Sequence, residues 1–67
     1  MTLHDLLHRA INKAGSRAKL ARHLTTAGAP VTERTIYNWQ HIPMRIRFSA
    51  IHEMCKLVEA DQGALVP

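Results

Sequence analysis

Arg34 and Asn38 stand four residues apart in the stretch "VTERTIYNWQ", residues 31–40. On a helix that spacing stacks a guanidinium and a carboxamide one turn apart on the same face. The pair suits the edges of purines: Arg pairs bidentately with guanine and Asn with adenine, each good pair discriminating by about 1–3 kcal/mol. Around them Thr32, Glu33, Tyr37 and His41 offer a hydroxyl, a carboxylate able to accept from cytosine N4, a phenol and an imidazole. Thr32, Glu33, Arg34, Tyr37, Asn38 and His41 are therefore the candidates for base readout. Ile36 and Trp39, three apart, form the opposite, apolar face together with Val31.

Such a helix must be held by others, and three more can be drawn from periodicity and caps. Leu3, Leu6, Leu7, Ala10, Ile11 and Ala14 recur as the apolar stripe of a first helix, with Thr2 as its cap, Asp5 in its first turn and Gly15 as its stop. Ser16 caps a short second helix, "RAKLARHL", in which Leu20, Ala21 and Leu24 face one way and Arg17, Lys19 and Arg22 lie away from that seam. "TTAGAP" then reads as a loop longer than a tight turn. Thr32 caps the third helix, its hydroxyl placed to accept from the amides of Arg34 or Thr35, and "HIP" ends it.

Pro43 is placed to open a fourth helix at its first position. Its apolar residues, Ile46 to Val58, cover about 200° of the circumference, twice what one core contact needs. That width predicts two neighbours: the core, and a second chain or protein partner met through Ile46, Ala50, Met54, Leu57 and Val58. The expected architecture is a single all-α domain over residues 1–60, of four or at most five helices, followed by a short irregular tail at 61–67. A β wing is not expected.

Composition sets the outer limits. Sixty-seven residues with 46% hydrophobic and 21% charged make one globular domain, burying roughly 60% of the surface its unfolded chain exposes. No apolar run approaches the roughly 20 residues of a membrane span, and "MTLHDLLHRA" lacks the pattern of a signal peptide. With a single cysteine, Cys55, the expected location is cytoplasmic. Net charge is +4, unevenly placed: Arg9 to Arg47 hold eight basic residues and one acidic residue, Glu33. A basic body of this kind is the electrostatic footprint of a nucleic-acid binder.

A basic helix, a loop and an amphipathic helix with a polar outer face describe a helix-turn-helix. In that arrangement the second helix of the motif enters the major groove and the first crosses the backbone, which makes Ser16, Arg17, Lys19, Arg22 and Thr35 the expected phosphate contacts.

The string "AKLARHL…VTERTIYNWQ…IP" resembles the Cro-like and YdaS-like helix-turn-helix repressors of phages and prophages, a lambda-repressor-like fold, over residues 16 to about 55. Ala21 matches the small residue of the motif's first helix, Leu24 the apolar residue before the turn, Val31 the one after it, and Ile36 and Trp39 the core of the recognition helix. The chain departs from the pattern in its turn, where "TTAGAP" stands in place of a single Gly, an insertion of about five residues. The resemblance implies repression by a homodimer bound to a palindromic operator in double-stranded DNA.

Two other classes compete. His4 and His8 are at i and i+4, and His52 and Cys55 at i and i+3, but a four-ligand site needs the pairs to converge; no metal and no cofactor is expected. No phosphate loop, nucleophile motif or suitably set carboxylate pair points to an enzyme. The stronger rival is a protein-interaction module, such as an antitoxin or phage accessory factor, docking its partner through the fourth helix.

Overall fold

The computed structural model describes residues 1–60, so the expected tail at 61–67 lies outside the described residues. The elements are α1 (Leu3–Ala14), α2 (Arg17–Thr26), α3 (Glu33–His41), a 3-10 turn (Pro43–Arg45) and α4 (Phe48–Leu57). All are helical, as expected, and α1 is the hub against which α2, α3, the 3-10 turn and α4 pack.

Surface hydroxyls start three of the helices. Thr2 accepts from the Asp5 amide while the Asp5 carboxylate accepts from the Thr2 amide, a reciprocal capping box. Ser16 accepts from the Lys19 amide at 3.2 Å and Thr32 from the Thr35 amide at 3.2 Å. Of the two amides open to Thr32, it is therefore that of Thr35 which is bonded. Gly15, at φ 109°, ends α1 with its amide on the Ile11 carbonyl.

The core is entirely apolar. Leu6, Leu7, Leu20, Leu24, Ile36 and Met54 are its largest fully buried side chains, Trp39 is 3% exposed, and among the described residues no buried polar residue accompanies them. Each such burial contributes about 1.5–3 kcal/mol.

Three expectations need correction. First, "TTAGAP" is not a free loop. Thr25 and Thr26 continue α2, and the chain then closes in a Schellman motif: the Ala29 amide bonds the Leu24 carbonyl at 2.8 Å and the Gly28 amide the Thr25 carbonyl at 3.3 Å, with Gly28 at φ 97°. Ala29, only 5% exposed, tucks into the core. The additional residues are mostly a longer helix and its cap.

Second, Pro43 opens the 3-10 turn rather than α4, which starts five residues later at Phe48. Ile46 and Arg47 are extended between them, at ψ 126° and 146°, and this lets Ile46 drop into the core.

Third, the wide apolar arc of α4 is used inside the chain, because α4 packs on both α1 and α2. Ile46 (6% exposed), Ala50 (0%) and Met54 (0%) are core residues, and Leu57 and Val58 are partly buried against the same core. Ile46, Ala50 and Met54 are therefore not a free interface. The large apolar side chains left in solvent are Tyr37, Ile42, Met44 at 89% and Phe48 at 74%.

Candidate nucleic-acid interface

On α3, Ile36 and Trp39 point inward, and Glu33, Arg34, Tyr37, Asn38 and His41 are exposed. At roughly 100° per residue, Tyr37, His41, Arg34 and Asn38 span about 100° of the helix directly opposite the core. Arg34 and Asn38 therefore share a face, as their spacing predicts. Trp39 anchors this surface from beneath, while Tyr37 belongs to the surface itself, 47% exposed.

The Tyr37 ring has two neighbours. His41 meets it edge-on, with centroids 4.8 Å apart. The Arg17 guanidinium stands over the ring, 5.2 Å from its centroid, within cation–π range. Arg17 also donates through Nη1 to Gln40 Oε1 at 3.0 Å. Beside these contacts Arg17, Glu33, Arg34 and Tyr37 line an open cavity of about 270 Å³ between the start of α2 and the outer face of α3.

The expectation that Arg17 lies away from the α2 seam is thus overturned. Arg17, Ala21 and Leu24 recur at i, i+4 and i+7, one stripe, of which Ala21 and Leu24 are buried. Arg17 occupies the first turn, where the core ends, so its stem follows the stripe and its head emerges over α3. That spacing was present in the sequence, as was the matching Glu33, Tyr37 and Gln40 stripe of α3. Gln40, half-buried, is the residue that sequence reasoning passed over.

The other phosphate candidates are dispersed. Lys19 and Arg22 are exposed on the far side of α2. The Lys19 side chain lies along Gly15, at the end of α1, where a cation complements the helix dipole. Ser16 serves as a cap, and the Thr35 hydroxyl lies 3.0 Å from that of Thr32. None of these joins the cavity at Arg17.

The turn holds α2 and α3 at a fixed separation. The Thr25 hydroxyl donates to the Ala21 carbonyl at 2.8 Å, lies 3.3 Å from the Val31 carbonyl, and accepts from the Val31 amide at 3.4 Å.

The histidine pairs do not assemble a metal site. The His4 and His8 rings lie beside each other, tilted by 53° with centroids 4.4 Å apart, Cys55 is buried while His52 is exposed, and among the described residues no three His, Cys, Asp or Glu side chains are grouped so as to hold a metal ion. Among these residues, too, no helix is long and apolar enough to cross a membrane. No protein-family model, curated protein or solved structure matches the chain.

Proposed function

We propose that this chain is a sequence-specific double-stranded DNA-binding regulator, a repressor acting as a homodimer on a palindromic operator, with α3 in the major groove. The observation that carries the reading is the outer face of α3. There Arg34, Tyr37, Asn38 and His41 stand together in solvent above a buried Ile36 and Trp39. This is a row of hydrogen-bonding groups on a rigid helix, the chemistry that base edges in the major groove require. The basic excess of the chain supplies attraction to phosphate.

Size is compatible with this reading. The body measures 25 × 22 × 19 Å, and two copies side by side fit the roughly 34 Å between half-site centres one helical turn apart. Glu33 at the first position of α3 and Thr32 at its cap are engaged in starting the helix and border the readout face.

The test is a gel shift with random duplex at rising salt, followed by selection of bound sites from a random pool. Binding that weakens linearly with log salt and a selected palindrome with half-sites about 10 base pairs apart are expected. Asn38→Ala removes the sequence preference and keeps most non-specific binding. Absence of binding at low salt overturns the reading.

The exposure of Met44 and Phe48 favours a second reading, a protein-interaction module whose partner covers these two side chains. It requires no DNA, so the same gel shift separates the two.

A further inference from the structure

We infer that Arg17 is a specificity-determining positioning residue, which fixes the readout face of α3 through Tyr37 and Gln40 instead of neutralising a phosphate. The inference rests on the DNA-binding reading above and assigns a role within that surface.

Its basis is the way one guanidinium is used. Nη1 is committed to Gln40 Oε1 at 3.0 Å, and the guanidinium carbon stands over the Tyr37 ring at 5.2 Å. A phosphate is best met by the full planar fork, and here part of that fork is already turned toward the protein. The same contacts restrain two side chains of α3 at once. Tyr37, nearly half exposed, would otherwise turn freely in solvent; its contacts with Arg17 and His41 hold it before any ligand arrives. Restraining groups in advance lowers the ordering cost of binding, and it does so only for sequences that fit the held geometry.

The position of Arg17 supports the same role. It lies on the buried stripe of α2, with Ala21 and Leu24, whereas Lys19 and Arg22 occupy the outer side. Through this residue the spacing between α2 and α3, set by the Thr25 and Gly28 turn, reaches the surface that meets the bases. Arg34 lines the same cavity as Arg17 and Tyr37.

Positioning and phosphate contact predict different salt behaviour. Losing one phosphate contact lowers the slope of log affinity against log salt by about 0.9 and weakens all sequences alike. Losing a positioning residue leaves the slope unchanged and lowers the ratio of specific to non-specific affinity.

The experiment measures both quantities for the full chain and for Arg17→Ala, Arg17→Lys, Gln40→Ala and the double variant, using the selected duplex and a random duplex. Circular dichroism confirms that each variant is folded. The expected result is an unchanged slope with a specificity ratio at least about tenfold lower for Arg17→Ala. Arg17→Lys is expected to fail to restore it, because an ammonium keeps the charge but not the planar fork. Gln40→Ala should lose part of the ratio, and the double variant should lose less than the sum, as for residues acting as one unit.

A slope lower by about 0.9 with the ratio intact makes Arg17 a phosphate contact and overturns the inference. So does full restoration by Lys. If the unmodified chain binds no duplex even at low salt, it is the DNA reading that fails, and the inference falls with it.

Discussion

The Thr25 hydroxyl spans the turn between the two central helices and meets both backbone polar groups of Val31, the amide at 3.4 Å and the carbonyl at 3.3 Å, while donating to Ala21 at 2.8 Å. One exposed side chain thereby ties the end of α2 to the residue that leads into α3.

Thr25→Val, nearly isosteric but without the hydroxyl, is expected to lower folding stability by about 1 kcal/mol. Thr25→Ser, which keeps it, should stay within about 0.5 kcal/mol of the unmodified chain. Urea unfolding checks both, read as a shift in midpoint at constant m-value.

Gly28 and Glu59 occupy equivalent places in two Schellman motifs, at φ 97° and 56°. In the second, the Ala60 amide bonds the Cys55 carbonyl at 2.9 Å and the Glu59 amide the Lys56 carbonyl at 3.3 Å. A Cβ at Gly28 would meet no atom within 4 Å, so the whole cost of Gly28→Ala, about 1 kcal/mol, comes from left-handed backbone. Glu59→Gly relieves the same strain and is expected to raise stability by about 0.5 kcal/mol after the larger unfolded-state entropy of Gly is subtracted. Melting temperatures should move in opposite directions; movement in the same direction refutes this account of the two caps.

Asp5 is held below the ordinary carboxylate range, first by the Thr2 amide and then by the Thr2 hydroxyl. Because the folded value is the lower one, the ionised carboxylate favours the folded state above the unfolded pKa, and that contribution disappears as pH falls through the folded value. The α1 cap is therefore expected to weaken on acidification below about pH 4. Following the Asp5 carboxyl carbon by NMR during titration tests this: the midpoint should rise in Thr2→Ala.

Phe48 begins α4 yet is 74% exposed, so Phe48→Ser should change folding stability by no more than about 0.5 kcal/mol. Sedimentation at tens of micromolar is expected to show a dimer for the unmodified chain. A monomer in that experiment counts against the proposed homodimer. If Phe48→Ser alone becomes monomeric, with unfolding unchanged, its ring lies in the contact between copies.

The parts of this fold that were legible in the sequence are those fixed by local chemistry. Thr2, Ser16 and Thr32 announce helix starts because a hydroxyl before an apolar-periodic run has one dominant use, and Gly15 announces a stop for an equally local reason. The inward Ile36 and Trp39 and the outward Arg34 and Asn38 follow from period alone.

What was not legible depends on partners distant in sequence. The breadth of the α4 apolar face looked like spare surface, because periodicity counts apolar positions without saying how many helices of the same chain will cover them. Arg17 looked like a surface cation because its charge outweighed its register, although it shares the stripe of Ala21 and Leu24. Its partner Gln40 is 23 residues away, and nothing local marks the pair.

The wholly apolar interior has a consequence for how such a chain can change. Among the described residues no polar or charged side chain is buried in the core, so folding depends on shape within and on caps and turns at the rim. Beyond its first turn, the outward residues of α3 take no part in either. Arg34, Tyr37, Asn38 and His41 can therefore be exchanged without repacking the interior, so the surface proposed to read DNA can drift, or be redesigned, at little cost to the ability to fold.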